Sequence, residues 1–159
     1  MVPRRFLRLD ARGFTLAEVM VVVTLIGILS ALGYPYAVGF LQAARLRAAA
    51  QELVAVINGA RQLAITRNTN VCLTLSSNKV IYRTAAANPC SGTVFVGAGT
   101  ASDGSIALQN DVQVSASTAN VTFSSLGAAA PAGTYTVRNP DTSLTLSVVV
   151  SAAGRVAIQ

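Results

Sequence analysis

The sequence predicts an α+β chain in which one long N-terminal helix spans a membrane with its first half and packs its second half on an antiparallel β-sheet head. Three observations predict it. Residues 14–34 form an apolar run with a single charge, preceded by four arginines. Apolar residues then recur at three- and four-residue steps as far as residue 63. From residue 68 onward the composition turns to Thr, Ser, Val, Asn and Gly in short alternating runs. The boundaries that follow are 1–13 for a leader, 14–67 for the helix (14–36 in the membrane) and 68–159 for the head.

Composition narrows the function before any motif is read. The chain has 159 residues, 12 Lys plus Arg against 6 Asp plus Glu, no His, no Trp and two Cys. A net charge of +6 invites a nucleic-acid or anionic-membrane partner. Only 11% of residues are charged, however, and the mean hydropathy is +0.54, too apolar for a solvated basic binder. The missing histidine removes Ser-His-Asp and Cys-His catalysis, His metal sites and the usual pH switch together. The expectation is a chain with no catalytic residues, no cofactor and no metal.

The first element is the apolar run. Its 21 residues would span about 31 Å as a helix, the thickness of a bilayer's hydrocarbon core. Arg4, Arg5, Arg8 and Arg12 against Asp10 give the preceding segment +3, which holds that side in the cytoplasm and sends the remainder across. A secretory signal peptide would need a shorter apolar core before its cleavage site. A plain membrane anchor explains everything except Glu18, because a carboxylate inside an apolar span is costly and needs a partner.

Gly13-Phe14-Thr15-Leu16-Ala17-Glu18 resembles the processing site of type IV prepilins and type II secretion pseudopilins. The resemblance implies a prepilin peptidase that cuts between Gly13 and Phe14 and methylates the new Phe14 amine. It also implies that Glu18 pairs with that amine on a neighbouring subunit during assembly, two charges tolerable in lipid as a close pair. Ala17 is a departure, since the family more often has a larger aliphatic residue there.

The second half of the helix carries Leu46, Ala49, Leu53, Val56, Ile57, Ala60 and Leu63 on one face. Together the halves predict a helix roughly 80 Å long. Pro35, flanked by Gly33 and Gly39, predicts a kink or a locally melted turn. Asn68-Thr69-Asn70 ends the helix.

The head reads as strands at 71–75, 80–84, 93–96, 105–108, 112–115, 120–123, 134–138, 144–150 and 155–158, with hairpins at the first and last pairs. It resembles the FimT/GspH group of minor pilins and pseudopilins, which implies the pilin fold. The resemblance rests on the helix end 59–67, on Phe123-Ser124-Ser125-Leu126-Gly127, and on the ending VVVSAAGR at 148–155. Cys72 and Cys90, in a segment expected outside the cytoplasm, predict a structural disulfide, with two free buried thiols as the alternative. Asp103, Asp111 and Asp141 lack metal-ligand spacing, and Asp103-Gly104 reads as a turn.

Some FimT-like minor pilins bind DNA for natural transformation through Gly-Arg-x-Arg. The matching stretch here is Gly154-Arg155-Val156-Ala157, with alanine for the second arginine. Arg155, joined by Arg138, Lys79 or Arg83, is the candidate DNA contact; the plainer reading is an exposed arginine at a wet hairpin tip. The sequence therefore predicts an inner-membrane minor pilin or pseudopilin with a periplasmic head. Its expected partners are the prepilin peptidase and methylase, other pilin subunits and the inner-membrane assembly platform. A DNA-uptake pilin and a membrane-anchored adaptor outside any filament are the alternatives.

Overall fold

The computed structural model describes residues 13–76, 78–85, 90–109, 112–117 and 120–159. The leader arginines and Asp111 lie outside them. The chain divides into two units at Gly39.

One helix, α1, runs over Leu16–Thr66. Thr15 caps its start: the Glu18 N–H donates to the Thr15 Oγ1 at 3.2 Å, and the Val19 N–H to the Thr15 carbonyl. Its end is a Schellman turn. Asn68 adopts φ +49, its N–H donates to the Ile65 carbonyl, and the Thr69 N–H to that of Ala64. Of the kink or locally melted turn expected at Pro35, the melted turn does not form, for the helix continues unbroken through it. A proline deletes one ladder donor, and the bonds on either side hold the turn.

In the first unit the apolar side chains of α1 stand exposed. Thr24, a polar interruption of that run, donates its hydroxyl to the Met20 carbonyl at 2.8 Å, the local bond that lets a hydroxyl sit on an apolar helix.

In the second unit α1 buries Leu46, Ala49, Ala50, Leu53, Ile57, Ala60 and Ala64. Four alanines on that face let the helix sit close over the strands. Val56 and Leu63, expected on the same stripe, are only half-buried, because the true stripe is centred one residue round, on Ala60 and Ala64.

The strands are β1 Val71–Ser76, β2 Lys79–Thr84, β3 Thr93–Val94, β4 Ser105–Ala107, β5 Gln113–Ala116, β6 Asn120–Phe123, β7 Ala129–Ala130, β8 Gly133–Arg138, β9 Thr145–Val150 and β10 Val156–Ile158. They form two sheets where one was expected. The first has the order β3-β2-β1-β6-β7, with β4 also on β2, and the second the order β10-β9-β8-β5. Every pair is antiparallel. The chain changes sheet between β5, which pairs with β8, and β6, which pairs with β1.

Both sheets feed one core with α1. Val71, Leu73, Val121 and Phe123 come from the first, and Tyr135, Val137, Val148 and Val150 from the second. Their period of two is what brings each set to the helix side.

Candidate assembly site

At the start of α1, Gly13, Phe14 and Thr15 precede the helix and are exposed. A Cβ on Gly13 would meet nothing within 4 Å. Glu18 lies in the first turn, where its negative charge opposes the positive end of the helix dipole. Thr15 and Glu18 hold the first and fourth places of a capping-box sequence, Thr-x-x-Glu, which marks this helix start. From Phe14 to Phe40 large apolar side chains stand exposed, Phe14 at 81% and Leu16 at 78%, and the helix qualifies as a membrane span by length and apolarity. A surface of that kind is built to be covered by lipid or by other helices.

In the head, the three stretches singled out at 59–67, 123–127 and 148–155 converge. The turn after β6 closes through the Gly127 N–H on the Ser124 carbonyl and the Ser124 N–H on the Ala128 carbonyl, both at 2.8 Å. The turn after β9 closes through the Gly154 N–H on the Ser151 carbonyl, and Ala129 is tied to Ala152 across the gap. Gly127 (φ +81) and Gly154 (φ +75) face each other so tightly that a Cβ on Gly154 would strike the Gly127 carbonyl oxygen. Arg61 from α1 reaches this seam, its Nε 2.9 Å from where a Gly127 Cβ would sit and 3.2 Å from a Gly154 Cβ. That Nε is buried without a hydrogen-bond partner. Two glycines thus let the turns of the two sheets meet backbone to backbone, with the Arg61 side chain of α1 packed over the seam.

Three further contacts brace the head. Cys72 and Cys90 form a disulfide, with Cα atoms 5.6 Å apart, which pins the loop after β2 to the middle strand of the first sheet. The Tyr82 hydroxyl donates to the Val56 carbonyl at 2.6 Å, and burial pushes its pKa up to about 12. The Glu52 carboxylate accepts the Gln109 N–H at 3.1 Å. Beside Glu52 and Tyr82 lies an open groove of about 550 Å³ whose walls include Val56, Leu63, Tyr82, Phe95 and Ile106.

The model of the type II transport protein GspH matches residues 49–154. The chain belongs to the GspH family. The prokaryotic N-terminal methylation motif matches residues 8–34 of this GspH-family chain, which implies processing by a prepilin peptidase and assembly with other pilins. Among solved structures, Escherichia coli GspH is similar at TM-score 0.57 and 13% identity, over 73% of this chain and 88% of that one. The type IV minor pilin FimU of Pseudomonas aeruginosa gives 0.53 and 18%, over 72% and 92%. The minor pseudopilin EpsH of Vibrio cholerae gives 0.52 and 11%, over 72% and 96%. These establish the pilin fold, a long helix packed on antiparallel sheets. No curated protein matches the chain by sequence. The family is one of structural pilins and pseudopilins rather than enzymes.

Within the GspH-family head the candidate DNA contacts do not gather. Arg155 bonds with Ser151 beyond the end of β9, while Arg138 pairs with Thr145 at its beginning. Six residues of strand put them about 20 Å apart. Arg83 donates to the Gly92 carbonyl at 3.1 Å and serves the disulfide loop. Asp103 accepts the Ser105 hydroxyl at 2.7 Å and the Ser105 N–H at 3.0 Å, the expected turn, and these bonds hold its carboxyl below the usual range. Asp141 sits in a separate turn on Asn139. Among the described residues there is no group of three metal-ligating side chains.

Proposed function

We propose that this chain is a minor pilin or pseudopilin, inserted as a prepilin, cut between Gly13 and Phe14, methylated on the Phe14 amine and assembled into a type IV pilus-like or type II secretion pseudopilus filament. Residues 1–13 are the cytoplasmic leader, 14–36 the inner-membrane span and 68–159 the periplasmic head. The observation that carries this reading is an exposed apolar helix start with one carboxylate, Glu18, inside a matched methylation motif.

The chemistry is electrostatic. An unpaired carboxylate in hydrocarbon costs roughly 3 kcal/mol at a helix centre, and less near its end. Cleavage creates an α-amino group that is charged at neutral pH, and methylation keeps the charge. Glu18 of one subunit against the Phe14 amine of the next converts two penalties into one desolvated pair and sets the axial register. The exposed non-helical stretch at Gly13 suits it to a peptidase. A DNA-uptake role would rest on Arg155 alone at its motif, so filament assembly takes precedence.

The test is the mass of the mature N-terminus together with Glu18→Ala. The expected chain begins at Phe14 and carries one methyl group. Glu18→Ala is expected to insert in the membrane normally and to drop out of filaments. A mature chain with a different first residue, or normal assembly of Glu18→Ala, refutes the proposal.

A further inference from the structure

The second unit begins at Phe40. Four residues of chain, at most about 14 Å, separate it from the proposed end of the span at residue 36. The first turns of α1 in this unit leave one arc uncovered. Leu46, Ala49 and Ala50 go into the core, while Phe40 and Leu41 stand 74% and 54% exposed, and Ala44, Arg45 and Arg47 are exposed with them. At 100° per residue the two arginines lie about 160° apart, one on each side of Phe40, Ala44 and Leu41. Between Glu18 and Glu52 they are the only charged residues in the chain. Glu52 accepts the Gln109 N–H, and among the described residues neither arginine has an ion-pair or hydrogen-bond partner.

We propose that Arg45 and Arg47 bind the phosphates of anionic phospholipids on the periplasmic surface of the inner membrane, with Phe40 and Leu41 at the boundary between headgroups and acyl chains. Position and charge together name the occupant. Residues that follow a span this closely have a membrane surface within reach. The arc sets an apolar strip between two cations, a pattern suited to that boundary. Helix side chains tilt towards the N-terminus, so both arginines lean back towards Phe40, and a guanidinium takes phosphate oxygens in pairs. Cations beyond a span also oppose the orientation that the leader arginines impose, and anionic headgroups on that side offset the opposition. The contact belongs to the membrane-resident subunit and is given up on entry into a filament. It goes beyond filament assembly and rests on the proposed span and periplasmic head.

The experiment places the full chain, purified from its native membrane, in nanodiscs of phosphatidylcholine and phosphatidylglycerol in equal parts, and counts retained lipids by native mass spectrometry. The wild-type chain is expected to retain phosphatidylglycerol preferentially. Arg45→Gln and Arg47→Gln are each expected to lower that preference about fivefold, and the double variant Arg45→Lys with Arg47→Lys is expected to keep most of it. An unchanged preference in the double glutamine variant, its melting temperature matching the wild type, overturns the headgroup contact and leaves the filament reading standing. In the native membrane, Ala44→benzoyl-phenylalanine is expected to cross-link to phospholipid on irradiation. Adducts to protein alone overturn the contact in favour of an acidic protein partner. A wild-type chain that leaves the bilayer in a carbonate wash overturns the contact and the span beneath it together.

Discussion

Gly154→Ala tests the seam between the two sheets. The perturbation has two separable parts. An alanine at φ +75 adopts a left-handed backbone that costs about 1–2 kcal/mol. Its Cβ would also strike the Gly127 carbonyl oxygen, a backbone atom that can yield only by moving the turn, and overpacking of that kind costs about 1–3 kcal/mol. The expected loss is about 2–5 kcal/mol, a large share of the stability of a small domain. For a head of this size that is a fall of roughly 10–20 °C in melting temperature. Gly99→Ala supplies the control, since Gly99 has φ +85 with open space around its would-be Cβ and isolates the backbone part. Gly127→Ala belongs between them, because its Cβ meets the tips of Arg61 and Ile65, which can shift. The assay is thermal melting of the full chain in detergent, followed by near-ultraviolet circular dichroism. Equal melting temperatures for Gly154→Ala and Gly99→Ala would refute the clash, and with it the account of how the turns are locked.

Further outcomes follow from the disulfide and from two buried tyrosines. Reduction of Cys72–Cys90, which closes an 18-residue separation, is expected to cost about 3 kcal/mol, read as a melting shift with and without reductant. Tyr82→Phe is expected to lose about 1 kcal/mol with its bond to Val56, whereas Tyr135→Phe is expected to be neutral or stabilising because that hydroxyl is buried without a partner. Burial raises both tyrosines from 10 to about 12, so the folded state holds protons that the unfolded state releases. Their contribution is complete below pH 10 and is lost as pH rises towards 12. A pH titration followed by phenolate absorbance should show unfolding in that window, shifted upward in Tyr135→Phe.

Helix α1 was legible because a 3.6-residue period and an apolar run are local signals, and its end at Asn68 follows from a side chain that tolerates the left-handed region. Nine of the strands could be read in the same way. The two-residue β7 is too short to have a period, and the division into two sheets depends on pairings between residues far apart, such as Val71 with Phe123. Val56 and Leu63 were misplaced by one position because a residue beside the stripe is as apolar as one within it. Gly127, Gly154 and Arg61 were each visible as part of a pattern. Their meeting was not, since the need for glycine at both turns arises from the close approach of one backbone to another. The opening charge excess also changes its meaning in the fold, with Arg61 spent on the seam, Arg83 on a loop and Arg67 over the Phe95 ring at 4.9 Å.

The middle strand of the first sheet has a kinetic consequence. One neighbour of β1 arrives at once, because β2 begins three residues after Ser76. The other, β6, begins at Asn120, more than forty residues later. Closing that loop must precede the contacts that reward it, so pairing β1 with β6 is the slow event in building the head. Until then β1 has a bare edge. The oxidised Cys72–Cys90 loop can form from the early hairpin alone, tethering a segment across β1 while its last partner is still to come.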